Sequence, residues 1–281
     1  MRLHAISDLH LSAEENRAAL LRLPDHGADW LIVAGDLAER FDHMRFGFEE
    51  LAKRFDRVIW VPGNHELWSI RRKEEPDPLR GVARYDALVE LAREFQVVTP
   101  EDSFPLWPGA THGNDGAAPL LIAPLFLLYD FSFRPEYLAR RDVSRWAREH
   151  RTACGDDFYL KADPHPDRES WCAHRLEMTR ERLARRLEGL PETTRTVLVN
   201  HYPLRQDLIR LPRAPRLAPW CGTRETRDWH RIFRADVVVS GHLHTRRTDH
   251  RHGTRFEEVS LGYPAQWDQE RGMAAYLRLI R

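Results

Sequence analysis

The sequence predicts a layered α/β fold whose strands are covered on both faces. Three observations carry that expectation. Within the first 66 residues, three apolar runs each end in a polar turn containing Gly, Pro or Asp, and helix-length segments separate them. Four more apolar runs return after residue 190, at 194–203, 235–244, 256–264 and 273–280. These runs are near-continuous rather than alternating, as strands buried on both sides read. The composition is 42% hydrophobic against 31% charged over 281 residues, that of a globular chain able to bury a large core.

The first strand, Leu3 to Ser7, runs into Asp8-Leu9-His10. A helix is expected near Ala18 to Leu23, then a strand in ADWLIVAGD (28–36), a helix over 43–55 and a strand in RVIWVPGNHE (57–66). Val82, Tyr85, Leu88, Val89, Leu91 and Ala92 recur at helical spacing and predict a helix over 82–95, after which Phe95 to Val98 opens another strand. Residues 104–128 read as two strands joined by the glycine-rich turn THGNDG. From about 134 to 189 the chain is dense in Arg, Asp, Glu, Trp and His, with little apolar content for a core of its own. It is expected to be a helical insertion or cap within a single domain spanning 1–281. Its place in the chain makes Trp146, Tyr159, His165, Trp171 and His174 candidates for one wall of a cleft. The last two apolar runs lack a helix-length connection and are expected to pair antiparallel.

Forty-three basic residues balance 43 acidic ones, so no overall field draws the molecule to nucleic acid or an anionic membrane. The longest stretch free of Asp, Glu, Lys and Arg, Gly116 to Tyr129, has 14 residues. A membrane-crossing helix needs about 17 to 25. The opening MRLHAISDLH shows neither the basic start nor the cleavage site of a secretory signal, and a cytoplasmic location is expected. Cys154, Cys172 and Cys221 are odd in number and form no CxxC pair, which points away from a disulfide framework or a thiolate zinc site.

Chemistry gathers at the predicted strand ends: Asp8 and His10, Asp36, Asn64 and His65, His201, and His242 and His244. Strand ends of an open α/β sheet are where distant residues converge on one cleft. In extended chain the two-residue spacing of Asp8 with His10, and of His242 with His244, points both side chains the same way. Two carboxylates, one amide oxygen and four imidazoles without a thiolate suit two divalent or mixed-valence transition-metal ions. Mn or Fe is favoured, and Zn, Co or Ni is an alternative. Asp36 follows Gly35 directly after a strand, with no neighbouring ligand, and is the best candidate to bridge two ions about 3.5–4 Å apart.

Taken in order, DLH (8–10), GDLAE (35–39), GNHE (63–66), the strand-end His201 and GHLH (241–244) resemble the calcineurin-like metallophosphoesterase superfamily. The resemblance implies an α/β/β/α sandwich of four layers. It also implies one ion held by Asp8, His10, Asp36 and His244 and a second by Asp36, Asn64, His201 and His242. His65 matches the histidine beside the substrate phosphate, placed to stabilise the phosphoryl oxygens and protonate the leaving group. Glu39 and Glu66 read either as caps of helix starts or as carboxylates that orient a site histidine.

The expected activity is dinuclear-metal-dependent hydrolysis of a small organic phosphate, monoester or diester. Alternatives are a nucleotide pyrophosphate or dinucleoside polyphosphate hydrolase, a protein phosphatase, and a non-catalytic interaction module on the same fold. The last would lack the bridging Asp, the Asn or the phosphate-facing His, and none is missing here. After His201 the segment HYPLRQDLIRLPRAPRLAPWCGT supplies several arginines, of which Arg205 is the candidate for binding substrate phosphate; Trp68 beside GNHE is a candidate pocket wall.

Overall fold

Alternation of side chains along each strand decides how the layers stack. The computed structural model describes residues 1–73, 77–110 and 118–281. The first half contains β1 (Leu3–Ile6), α1 (Glu14–Leu21), β2 (Trp30–Val33), α2 (Phe41–Ala52), β3 (Arg57–Trp60), α3 (Asn64–Leu67) and α4 (Gly81–Glu94). Then come β4 (Leu120–Pro124), α5 (Val143–Glu149), α6 (Asp156–Tyr159), α7 (Arg168–Glu188), β5 (Arg195–Val199), α8 (Trp229–Ile232), β6 (Ala235–Ser240), β7 (Thr248–Arg251), β8 (Thr254–Glu258) and β9 (Arg278–Leu279). One sheet has the order β3-β2-β1-β9 and the other β4-β5-β6-β8-β7. Among the described strands only β9 and β7, at the edges, run antiparallel to their neighbours.

Ala5, Ile32, Val197, Val199, Val237 and Val239 point into the space between the sheets and form one core. The intervening residues point outward. Leu31, Val33 and Trp60 meet Leu20, Met44, Phe48, Tyr85 and Leu88 of α1, α2 and α4. On the other sheet Leu198, Val238 and Phe256 meet Leu183, Leu187, Trp229 and Phe233. The result is the expected helix, sheet, sheet, helix order. Each fully buried aliphatic or aromatic side chain stabilises it by about 1.5–3 kcal/mol. Asp167 caps α7 by accepting from the Ser170 amide at 2.7 Å, and Arg185 and Arg186 sit at the end where the helix dipole favours cations.

Three expectations are corrected. The runs at 256–264 and 273–280 are not neighbours: β8 lies between β6 and β7, whereas β9 pairs with β1 in the other sheet. The link between them is long enough to change sheets, and it does so where Ser260 pairs with Ser7. The polar strand β7 carries no apolar signal because it is an exposed edge. Within 95–98 only Val98 pairs, in a single bridge to Ile59. Among the described residues of the 104–128 region β4 is the one regular strand, with Leu106 bridging to Leu121; the THGNDG turn lies outside the described residues.

Helix α7 packs on the sheet through Leu183 and Leu187, and Trp171 is core, in edge contact with Phe126. Leu183→Ala should therefore cost about 2–5 kcal/mol of folding stability. In denaturant unfolding this appears as a lower midpoint with an unchanged slope; a loss below 1 kcal/mol would mean that α7 is not bound to the sheet in solution.

Candidate metal centre

Five parallel strands deliver the site. Asp8 follows β1, Asp36 follows β2, Asn64 follows β3, His201 follows β5 and His242 follows β6. The turns that do this are strained: Asp8, His10, Asp36, His242 and His244 all have positive φ, between 43° and 73°. Asp and His tolerate this left-handed region better than most residues, at a cost of about 1–2 kcal/mol each. The close approach also requires glycine. A Cβ on Gly63 would lie 2.1 Å from Asp36 Oδ1, and one on Gly241 would lie 2.3 Å from Asp8 Oδ2.

The donor atoms converge in overlapping groups. Asp8, His10 and His244 form one, Asp36, His201 and His242 a second, and His10, Asp36 and His65 a third; within each, one ligand atom per residue lies within 4.8 Å of the others. Asp8 Oδ1 is 2.9 Å from His244 Nε2, which is itself 3.2 Å from His10 Nε2. Asp36 Oδ2 is 3.4 Å from His201 Nε2, and Asn64 Oδ1 is 3.2 Å from the same nitrogen. The structure thus brings together all seven residues expected as ligands, with Asp36 between the two halves.

Burial opposes every charge in this cluster. At the carboxylates it is overcome: His244 holds Asp8, and His201 holds Asp36, below the usual carboxylate range. The same attractions push His201 up to about 10 and His244 up to about 9 despite burial. At His10 and His242 burial wins, reinforced by His65 and His201, and lowers them to about 4 and about 3. The donor set fits metal. His201 Nδ1 is 2.9 Å from the Ala34 carbonyl and His244 Nδ1 is 2.7 Å from Gln266 Oε1, contacts that turn both Nε2 atoms toward the carboxylates.

His65 stands apart from the ligand set. Its Nδ1 is 2.7 Å from Glu39 Oε1, its ring lies 3.7 Å from that of Trp68, and its Nε2 faces the centre 3.8 Å from Asp36 Oδ2. Burial opposes its protonation, yet Asp36 and then Glu39 raise its pKa above the ordinary histidine value. Glu39 therefore orients a histidine. Glu66 anchors backbone instead, accepting from the amides of Asp36 (3.0 Å), Leu37 (2.8 Å) and Gly63 (2.9 Å).

A cleft of about 650 Å³ opens over the centre, walled by residues 210–214 and 242–245 and by Tyr263, Ala265 and Gln266, with Asp36, Asn64 and His65. Two specificity candidates are displaced from it. Arg205 is buried, bonded to Asp207 at 2.9 Å and to the Arg227 carbonyl at 3.1 Å, and borders a different cavity. Arg210 and Arg213 of the same loop line the cleft, because the 3₁₀ turn at Gln206–Leu208 separates them from Arg205. Trp68 backs His65 rather than walling the cleft. None of Trp146, Tyr159, His165, Trp171 and His174 is among the lining residues.

The helical segment nevertheless reaches the site from behind through Asp156, which sequence reasoning missed. Its Oδ1 accepts from Asn64 Nδ2 at 2.9 Å and Trp68 Nε1 at 2.7 Å. That turns the Asn64 oxygen toward His201. Ser7 and Ser260 were also missed; their hydroxyls donate to Asp8 Oδ2 at 2.6 and 2.8 Å. No motif marks any of these residues, since each acts through another side chain.

Asp36→Ala should cause the largest loss of bound metal among Ala variants of Asp8, Asp36 and His242, read by elemental analysis of desalted protein. Retention of full stoichiometry in Asp36→Ala while Asp8→Ala is emptied would reverse the assignment. Asp156→Leu leaves the buried Asn64 amide and the part-buried Trp68 indole N–H without their acceptor, a cost of about 1–3 kcal/mol for a buried unmet donor, and should weaken metal affinity about 10- to 100-fold. Metal titration of the folded variant checks this; unchanged affinity would limit Asp156 to packing.

The model for calcineurin-like phosphoesterases matches residues 1–246. The chain is 44% identical over 280 residues to the [acyl-carrier-protein] phosphodiesterase PptH of Mycobacterium tuberculosis (strain ATCC 25618 / H37Rv), covering 99% of this chain and 82% of that protein. The crystal structure of that phosphopantetheinyl hydrolase superposes with a TM-score of 0.88, covering 99% of this chain and 95% of the other. A shorter similarity, 28% over 103 residues, links it to uncharacterized protein L509 of Acanthamoeba polyphaga mimivirus, over 33% of this chain and 35% of that protein. Among the described residues no helix is long and apolar enough to cross a membrane. The chain belongs to the calcineurin-like phosphoesterase family and is a hydrolase of phosphoester bonds.

Proposed function

We propose that this enzyme cleaves the phosphodiester joining a phosphopantetheinyl group to an acyl carrier protein. The observation that carries the reading is the near-complete similarity to the mycobacterial phosphodiesterase, which spans every strand end that supplies the metal centre. The cleft is consistent with a substrate presented on a protein. It is broad, and on its rim stand Arg210 and Arg213, exposed and without a carboxylate partner among the described residues. Guanidinium groups there match the phosphate of the diester.

Asp8, His10, Asp36 and His244 would hold one ion and Asp36, Asn64, His201 and His242 the other, Mn or Fe being favoured. When bound, the ions supply Lewis acidity toward the phosphoryl oxygens and the attacking water. Hydrolysis forms a bond from that water's oxygen to phosphorus and breaks the bond to the alcohol oxygen of the carrier protein. That oxygen needs a proton. His65 Nε2 faces the centre, and Glu39 on Nδ1 stabilises the charged imidazolium, so His65 is the donor. Trp68, packed against the ring at a tilt of 33°, restricts the plane in which that proton is offered. On this reading the chain works as one domain over 1–281, and the 134–189 segment sets Asn64 and Trp68 from behind through Asp156.

The test uses holo-carrier protein as substrate, with Mn, Fe(II), Zn, Co or Ni supplied in turn. Intact mass should show conversion to the apo form, and His65→Gln should lower kcat by about 10²- to 10⁴-fold with metal content kept. Turnover of a chromogenic diester with no conversion of holo-carrier protein under any metal would reject the substrate while leaving the phosphoesterase standing.

A further inference from the structure

A second group of metal-ligating side chains lies at the opposite end of β1 from the catalytic centre. His4 sits in β1, and His26 and Asp29 belong to the loop that leads into β2. One ligand atom from each lies within 4.8 Å of the others. His4 Nε2 is 3.1 Å from Asp29 Oδ2, and His26 Nδ1 approaches the same oxygen at 3.9 Å. The second distance is too long for a hydrogen bond. Both are close to the separation, about 3.3 Å, that two ligands keep around one tetrahedral ion with bonds of about 2.0–2.1 Å. We propose that His4, His26 and Asp29 form a separate binding site for a divalent zinc-class cation, with a fourth position open to water.

Several features prepare the three groups for this role. The side chains are 10%, 16% and 16% exposed, so the site is shielded yet reachable. The His26 ring is stacked on Phe55 at 4.6 Å and 9°, which fixes its plane. Asp29 is held on its other oxygen by the Arg2 amide at 2.6 Å, leaving Oδ2 toward the histidines. Two imidazoles and one carboxylate form an N/O set that suits Zn, Co or Ni rather than Ca or Mg. An ion there would tie the start of β1 to the entry of β2, the two strands whose far ends carry Asp8 and Asp36.

Crystals equilibrated with Zn²⁺ and measured at the zinc edge should show an anomalous peak within bonding distance of His4 Nε2, His26 Nδ1 and Asp29 Oδ2. The catalytic centre serves as the internal positive control. Peaks at the catalytic centre with none at His4 would overturn the proposal, independently of any variant. In solution, His26→Phe, which keeps the stack on Phe55, and Asp29→Asn should each bind one ion fewer than the wild type. Because the difference is read, the count at the catalytic centre drops out. Diester hydrolysis should be retained in both variants; equal metal content in the wild type and both folded variants would equally reject the site.

Discussion

One buried carboxyl group holds the catalytic geometry together. Glu66 accepts hydrogen bonds from the backbone of Asp36, Leu37 and Gly63 and from Trp60 Nε1, at 2.8 to 3.3 Å. The turns after β2 and β3 are thereby fastened to one point, and each carries a residue of the candidate metal centre. Burial, then the nearby Asp36, pushes Glu66 up to about 7, so the four donors work against a substantial desolvation cost. Arg84 closes the arrangement from α4, reaching the carbonyls of Glu66 at 2.6 Å and Glu39 at 2.5 Å. A helix on the outer layer is thus mechanically connected to the carboxylate that orients His65.

The second sheet is fastened to the same place by hydroxyls. Ser7 and Ser260, paired where the two sheets touch, both donate to Asp8 Oδ2, and the His242 amide reaches that oxygen at 3.0 Å. Farther along, Glu258 accepts from the Thr245 amide at 3.1 Å and fixes the loop that leaves His244. Neither sheet alone could assemble the centre, since each of its two groups draws on both sheets: Asp8 and His10 from the first with His244 from the second, and Asp36 from the first with His201 and His242 from the second.

The strand-end motifs were legible because a parallel sheet leaves only its loop ends free for chemistry, and apolar runs mark those ends one by one. Asp8, Asp36, Asn64, His201 and His242 could therefore be placed without tertiary information. Residues that act through others could not. Asp156 stands 92 positions from Asn64, in a four-residue helix with no periodic signal, and its role exists only once α6 folds behind β3. The arginine loop shows the same limit: charge located the segment, but only its 3₁₀ turn determines that Arg210 and Arg213, not Arg205, look into the cleft. Strand β9 was misassigned for a related reason, because local pattern carries no information about which sheet a terminal strand will join.

The left-handed backbone at Asp8, His10, Asp36, His242 and His244 has a consequence for how this site can drift and be dissected. The conformation admits Asn, Asp, His and Gly most readily, and the chemistry wants Asp, His and Asn. Two independent selections therefore draw on nearly the same small alphabet. A lineage released from catalysis would keep its loops by wandering among Asn and Gly, leaving a recognisable fossil of the centre in an inert scaffold. For the experimenter, alanine at these five positions alters backbone strain and ligation together, whereas asparagine separates the two.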